Sequence, residues 1–168
     1  MTVEFSRLDP GKVYSGRKQF DCGHSRINKI VRDSLIPQVS KHLSVAYVLT
    51  DPEKDDRLAG FFTVANHSIE ASLLSEMQLG SLPRRIPCVR LIMLGIDKHY
   101  QGQNFGRRLM KKAFVITKAA SSQIGCYGLY LDADAGALGF YSKLGFSLLE
   151  GNKSPDASPM FIPIQSIA

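Results

Sequence analysis

The sequence has few cysteines and no metal-ligand pattern. Its three cysteines, Cys22, Cys88 and Cys126, are widely spaced and form no Cys-x-x-Cys pair, so neither a disulfide framework nor a zinc site is indicated. The four histidines also lack the spacing of metal ligands. We therefore predict that the protein binds no metal.

The chain also lacks the apolar segments that membrane crossing and secretion require. No stretch approaches the roughly eighteen apolar residues of a bilayer crossing. The start of the chain shows no basic region followed by an apolar one. We expect a cytoplasmic protein with no membrane association. Its 168 residues, of which 44% are hydrophobic and 21% charged, suit a single domain over residues 1–168.

The net charge of +6 is unevenly distributed. Between residues 80 and 118, nine lysines and arginines accompany one acidic residue, Asp97. Acidic residues cluster instead at positions 51–56, in a polar, proline-containing break between two apolar runs of strand-like composition. The middle of the chain is therefore expected to be basic, and the acidic break is predicted to be a solvated hairpin loop.

Hydrophobic periodicity predicts a mixture of strands and helices. In the first half it predicts a strand at residues 3–8 and a helical segment at 25–41 that is divided near Pro37. Two hairpin strands are predicted at 45–50 and 58–65. A short helix at 72–79 and a loop at 81–87 are predicted next. The second half then shows a strand buried on both faces, a helix with a basic stripe, a strand, a short helix and a closing strand, at 89–96, 105–120, 127–131, 135–144 and 160–164.

The most informative stretch is GIDKHYQGQNFGRRL at residues 95–109. A strand that runs into a turn and then opens a helix leaves backbone N–H groups pointing outward, and the helix dipole favours an anion such as pyrophosphate there. Arg107 and Arg108 lie in the first turn of the helix, where their charge opposes the dipole. A polyphosphate nearby would explain this arrangement, and a solvated basic face is the alternative.

This loop resembles the acetyl-CoA loop of the GNAT acetyltransferase superfamily, whose pattern is Gln or Arg, two residues, Gly, one residue, then Gly or Ala. Gln101, Asn104 and Gly106 occupy those positions. Asn104 departs from the pattern, but asparagine is among the non-glycine residues best able to adopt positive φ. The resemblance implies acetyl-CoA as co-substrate, with contacts from Leu94, Gly95, Ile96, Gln101, Gly102, Gln103, Asn104, Phe105, Gly106 and Arg107.

The same resemblance implies the fold. A GNAT domain is an α/β (α+β) structure with a single mixed, mostly antiparallel sheet flanked by helices. Its splayed central strands bind acetyl-CoA. We therefore expect residues 1–168 to form one GNAT domain.

A second match lies further along the chain. Ala137, Phe140-Tyr141 and Gly145-Phe146 follow a predicted strand in the way that the last helix and strand of a GNAT domain do. In that family the tyrosine faces the thioester sulfur, so the resemblance makes Tyr141 the candidate general acid. A phenol with an ordinary pKa of about 10 is close to an alkyl thiol in acidity. The general base is left open, with Glu70 and Glu76 as weak candidates.

A third set of residues indicates which subgroup of the GNAT superfamily the chain resembles. The sequence resembles the GNAT toxins of bacterial toxin–antitoxin pairs in the layout of a further set of residues. These are Phe20-Asp21-Cys22-Gly23, Asn28 and the segments 35–38, 60–63 and 86–87. Those toxins acetylate the α-amino group of aminoacyl-tRNA. The resemblance implies a tRNA substrate and a ribbon-helix-helix antitoxin, and it leaves a homodimer open. The toxins usually carry an arginine in the strand before the loop, where this chain has Met93; Arg90 is a candidate substitute.

Three functions remain open from the sequence. The first is a toxin that acetylates aminoacyl-tRNA, for which Arg84, Arg85 and Arg90 are the candidate tRNA-binding residues. The second is a metabolic or protein N-acetyltransferase that acts on a small amine or a peptide. The third is a non-catalytic GNAT-like binding module, which is supported only by Asn104 and Met93, the two departures from the pattern of the active enzymes.

Overall fold

A computed structural model describes residues 2–151 and 153–168. The chain divides into two compact units. The first unit comprises residues 1–65 and 92–111, and the second comprises residues 66–91 and 112–168. Among the described residues, the α-helices are α1 Ser25–Asp33, α2 Leu35–Ser40, α3 Phe105–Gln123 and α4 Leu138–Lys143. The strands are β1 Glu4–Arg7, β2 Val45–Asp51, β3 Arg57–Glu70, β4 Arg85–Ile96, β5 Gly128–Ala133, β6 Ser147–Leu148 and β7 Ser158–Pro163.

In the described part of the chain, the strands form a seven-stranded sheet in the order β1-β2-β3-β4-β5-β7-β6. The pairs β1–β2, β2–β3, β5–β7 and β6–β7 are antiparallel. The pair β4–β5 is parallel, from Val89 opposite Leu129 to Leu91 opposite Leu131, and α3 lies between these two strands in sequence, as a parallel connection requires. The predicted mixed, mostly antiparallel sheet with helices is confirmed.

The predicted hairpin of the first unit is confirmed, with one correction. Strands β2 and β3 pair from Val45 opposite Val64 to Asp51 opposite Arg57. Glu53 and Asp55 in the connection are exposed, as expected of a solvated loop. Asp51, however, is buried, and the Tyr100 hydroxyl donates a hydrogen bond of 2.7 Å to its carboxylate.

The predicted helical segment at 25–41 is divided at Ser34 and not at Pro37. Pro37 is the third residue of α2, where the first-turn N–H groups have no helical partner and a proline is tolerated. Both helices bury an apolar side against the core of the first unit. That core includes Phe20, Val31, Leu35, Val48, Phe61 and Met93.

The segment between residues 66 and 87 differs most from the prediction. Strand β3 continues to Glu70, a 3-10 helix occupies Ala71–Met77, and β4 begins at Arg85. Pro87, expected in a loop, lies in β4, where its carbonyl accepts a hydrogen bond from the amide of Tyr127. The core of the second unit is built from Ile69, Leu74, Ile86, Cys88, Leu149 and Phe161.

The predicted amphipathic character of α3 is confirmed. Its buried residues include Leu109, Met110, Ala113 and Thr117, and its exposed basic residues are Arg107, Arg108, Lys111, Lys112 and Lys118. The buried Thr117 hydroxyl is satisfied by the Ala113 carbonyl at 2.8 Å. Over the described residues, no helix combines the length and the apolar content that a membrane crossing needs.

Candidate active site

The end of β4 is anchored by the carboxylate of Asp97, a buried residue of the first unit. This carboxylate accepts hydrogen bonds from the backbone amides of His99 and Asp21, at 3.0 and 3.1 Å, and lies 2.7 Å from the His99 ring. Burial opposes its ionisation, but these hydrogen bonds and the His99 ring outweigh burial and lower the pKa of Asp97. Asp97 therefore fixes the point where the chain leaves the strand and enters the loop.

Gln101, the first residue of the candidate acetyl-CoA loop, binds its own protein. Its side-chain amide donates to the carbonyls of Ile96 and Cys22, at 2.9 and 3.3 Å. The Asp21–Gly23 segment is held in turn by Asn28, whose side chain accepts from the Cys22 amide at 2.8 Å and donates to the Asp21 carboxylate at 3.0 Å. The side chain of Gln101 thus ties the loop to the segment before α1.

The loop itself is exposed from Gln101 to Asn104, and two of its residues adopt left-handed backbone conformations. Gly102 has φ of 78° and Asn104 has φ of 69°. The expectation that Asn104 can take the place of a glycine in this turn is confirmed. The Asn104 carbonyl accepts from the Arg108 amide at 3.2 Å and so begins α3. The N–H groups at the start of α3 have no helical partner of their own, which suits an anionic ligand.

Asn104→Gly is expected to leave acetyl-CoA affinity unchanged or to raise it, because glycine adopts the left-handed conformation without a steric cost. Asn104→Ala is the matched variant: it also removes the carboxamide but keeps Cβ, which costs about 1–2 kcal/mol in this conformation. Calorimetric titration with acetyl-CoA distinguishes the two effects. A large loss of affinity in the glycine variant would show that the Asn104 carboxamide is itself a phosphate ligand.

The last part of β4 packs closely on its neighbours. A Cβ added at Gly95 would lie 3.2 Å from the Phe61 ring and 3.3 Å from the Cys22 side chain. Gly95 therefore allows the Asp21–Gly23 segment to approach the strand. Leu94 and Ile96, also expected to contact acetyl-CoA, are partly buried. The N–H groups of this stretch are the expected partners of the thioester carbonyl or the pantetheine amides.

Met93 and Arg90 differ in their surroundings. Met93 is buried in the core of the first unit. Arg90 belongs to the second unit, where its guanidinium lies 3.2 Å from the carboxylate of Asp132 on β5. The position that carries arginine in the toxins is therefore a core position in this chain.

Tyr141 lies on α4 in the second unit and is buried. Its ring makes edge contacts with Phe140 and Phe146, at centroid distances of 5.0 and 5.6 Å. Burial and, second, the charge of Asp134 raise the pKa of Tyr141 to about 12. The expectation of an ordinary phenol is therefore wrong: the group is a weaker acid than predicted and is fully protonated at neutral pH.

The arginines expected to bind tRNA have acidic neighbours. Arg84 and Arg85 lie 3.5 and 3.0 Å from the carboxylate of Glu70, and Arg85 also donates to the Ser68 hydroxyl. Their side chains are nevertheless 87% and 62% exposed. Because exposed ion pairs contribute little free energy, a phosphate can displace Glu70 at small cost. Glu70, a weak candidate for the general base, is an ion-pair partner of both arginines.

Two features of the site were missed by the sequence analysis. The anchoring role of Asp97 depends on Asp21, which lies 76 positions away in the chain, and no local pattern indicates it. A polar and aromatic cluster around His67 and Tyr130 was also missed. The alternation of Tyr130 and Asp132 along β5, which places both on one face of the strand, was the available signal.

Comparison with known proteins places this geometry in a family context. Residues 44–148 match the model of the acetyltransferase (GNAT) domain. A curated relative, Probable toxin TacT of Sinorhizobium fredii (strain NBRC 101917 / NGR234), is 26% identical over 175 residues, which cover 95% of this chain and 90% of the relative.

Solved structures extend this likeness to nearly the whole chain. A crystal structure of a bacterial toxin is 36% identical with a TM-score of 0.93 and covers 98% of this chain and 92% of its own. AtaT complexed with acetyl-methionyl-tRNAfMet is 27% identical with a TM-score of 0.87, covering 98% and 96%. A tyrosine-to-phenylalanine mutant of AtaT, bound to the C-terminus of the antitoxin AtaR and acetyl-CoA, is 27% identical with a TM-score of 0.82, covering 98% and 94%.

Proposed function

This chain belongs to the GNAT acetyltransferase family, and on that premise we propose that it acetylates the α-amino group of aminoacyl-tRNA, as the toxin of a toxin–antitoxin pair. The observation that carries the proposal is the likeness, over almost the whole chain, to AtaT complexed with acetyl-methionyl-tRNAfMet. The likeness to an AtaT structure that holds the C-terminus of the antitoxin AtaR supports an antitoxin as partner. A tRNA substrate supports the cytoplasm as the proposed location of the protein.

The proposed co-substrate is acetyl-CoA, which supplies an activated acetyl thioester. The residues of the first unit fit its phosphates: the loop is exposed, it turns through left-handed positions at Gly102 and Asn104, and it opens α3, a helix whose first N–H groups have no partner within the helix itself. Arg107 and Arg108 add positive charge in the same turn. Gln101 and Asp97 hold this loop in place through the hydrogen bonds described above.

Tyr141 is proposed to stabilise the departing sulfur by donating a hydrogen bond. Because its pKa is about 12, complete proton transfer to a thiolate is uphill, whereas a hydrogen bond to developing negative charge is favourable. The attacking α-amine must be neutral. The α-amino group of a peptide has a pKa of about 7.7–8.0, so a substantial fraction is already neutral at physiological pH and a strong base on the protein is not required.

The proposed substrate is tested by the salt dependence of transfer. Label from acetyl-CoA is expected on charged tRNA and not on uncharged tRNA, with a KM for charged tRNA that rises steeply with salt because each phosphate contact releases counterions. Arg84→Gln with Arg85→Gln should raise KM and reduce the slope of log KM against log salt by about two, roughly one for each lost contact.

Glu70→Gln is the matched variant, and it is expected to change KM for charged tRNA in the opposite direction. It frees both arginines from their acidic partner, so KM for charged tRNA should fall while acetyl-CoA affinity stays constant. If neither form of tRNA is labelled and the label goes instead to a small amine or a protein N-terminus, the chain is a general N-acetyltransferase and the proposed substrate is wrong.

A further inference from the structure

A cluster of polar and aromatic side chains on β3, β4 and β5 of the second unit has no part in the chemistry described above. The Tyr130 hydroxyl donates to one carboxylate oxygen of Asp132 at 2.9 Å, and the Arg90 guanidinium donates to the other at 3.2 Å. The His67 ring lies 4.9 Å from the Tyr130 ring, with 37° between their planes. We call His67, Arg90, Tyr130 and Asp132 the β5 cluster.

The protonation states of the β5 cluster favour contact with a flat, uncharged ligand. Burial lowers the pKa of His67, and the charges of Arg90 and Arg85 lower it further against the opposing effect of Asp132, so the neutral form of the imidazole predominates at pH 7. Burial, followed by the hydrogen bond to Asp132, raises the pKa of Tyr130. The cluster therefore presents two neutral rings beside a fixed carboxylate.

The β5 cluster is open to solvent and has unused hydrogen-bonding capacity. The side chains of Arg90 and Asp132 are 39% and 33% exposed. Each oxygen of the Asp132 carboxylate has one partner among the contacts above, whereas a carboxylate offers about four acceptor sites. An ion pair this exposed contributes little to stability, so a ligand can share or rearrange it at small cost.

The chain links the β5 cluster to Tyr141. Because successive side chains of a strand point to opposite faces, Tyr130 and Asp132 lie on the same face of β5. Asp134, which directly follows the strand with extended φ and ψ, continues this pattern. Asp134 is near enough to Tyr141 for its charge to raise the pKa of the phenol. Tyr130, Asp132 and Asp134 thus form a row that has the β5 cluster at one end and Tyr141 at the other. A substrate group bound to the β5 cluster would lie at the end opposite to the catalytic tyrosine.

We propose that the β5 cluster binds an unpaired nucleobase next to the aminoacylated end of the acceptor RNA. Unpaired bases are recognised by stacking on aromatic or histidine rings and by hydrogen bonds to their edges. The Asp132 carboxylate can accept from the exocyclic amino group of adenine or cytosine, which uracil lacks. His67 and Tyr130 supply the stacking surface, and Arg90 holds Asp132 in place. This inference rests on the proposed function.

The test compares a substrate that has nucleobases with one that has none. Steady-state acetylation is measured for charged tRNA and for the methyl ester of the same amino acid. His67→Ala and Asp132→Asn are each expected to raise KM for charged tRNA about 10-fold, the equivalent of about 1.4 kcal/mol of lost stacking or hydrogen bonding. The kcat for charged tRNA and both constants for the methyl ester should not change.

Two further variants separate binding from structure. His67→Phe keeps a flat ring and should retain most of the affinity that His67→Ala loses. Tyr127→Phe removes a hydroxyl from another tyrosine of the same unit, whose ring stacks on Phe161, and should behave as wild type. Thermal unfolding and acetyl-CoA affinity are measured for every variant to show that the fold is intact.

The outcomes are distinct. Variants with unaltered KM for charged tRNA, or with equal losses for tRNA and methyl ester, overturn the nucleobase site and leave the proposed function standing. Equal losses in His67→Ala and His67→Phe overturn the stacking role. A wild-type protein that acetylates the methyl ester but never charged tRNA overturns both the nucleobase site and the proposed function.

Discussion

Tyr141→Phe is expected to slow acetyl transfer by about 10²–10⁴-fold while acetyl-CoA affinity barely changes. The substitution removes only the hydroxyl, and the edge contacts of the ring with Phe140 and Phe146 remain. The loss should therefore appear in kcat and in kcat/KM together, as for a group that acts in the transition state. Single-turnover measurement of labelled acetyl transfer, with calorimetric titration of acetyl-CoA, checks both parts.

Tyr47→Phe is the matched control, because it removes a hydroxyl from a stacked tyrosine in the first unit. The pH profile gives a second check. Since the pKa of Tyr141 is raised to about 12, its ionisation should cause no loss of rate between pH 8 and 10, where an ordinary tyrosine would begin to lose its proton. Wild-type turnover in Tyr141→Phe would remove this residue from the mechanism.

Gly106→Val is expected to abolish detectable acetyl-CoA binding. Gly106 is the second residue of α3, and a branched side chain there would occupy the space proposed for the pyrophosphate beside the first N–H groups of the helix. The helix itself should survive, because valine has a higher helix propensity than glycine. Calorimetry therefore should show lost affinity with an unchanged or higher unfolding temperature.

Gly106→Ala provides a graded comparison, since its single methyl group intrudes less and should weaken binding by a smaller factor. An acetyl-CoA affinity in Gly106→Val equal to that of wild type would move the pyrophosphate away from the loop at residues 101–106. A variant that binds normally but transfers slowly would contradict the same placement.

The elements predicted well are those whose patterns are local. The β2–β3 hairpin is marked by two runs of β-forming residues around a polar break, and α3 by apolar residues at helical spacing. The region 66–87 failed because a 3-10 helix has no 3.6-residue period. The continuation of β3 to Glu70 is stabilised by partners that the sequence does not place nearby: the Ala71 amide bonds to the Arg84 carbonyl, and Ser68 bonds to Arg85.

The candidate site shows the same limit. The loop and its unusual Asn104 could be predicted because backbone conformation depends on the residue itself. The side-chain partners of Gln101, Asp51 and Arg90 could not, since Cys22, Tyr100 and Asp132 are 79, 49 and 42 positions distant from them in the chain. The raised pKa of Tyr141 follows from burial, which depends on the packing of the folded unit.

The position of β7 in the sheet has a consequence for biosynthesis. This strand, the last in chain order, lies between β5 and β6 and pairs with both. On the ribosome, β5 and β6 would emerge with a gap between them, and the gap closes only when residues 158–163 have been translated and released. The strands of the second unit, which carries Tyr141, therefore cannot all pair until β7 has been synthesised. A nascent chain that still lacks β7 should for this reason be inactive toward the translation machinery that produces it.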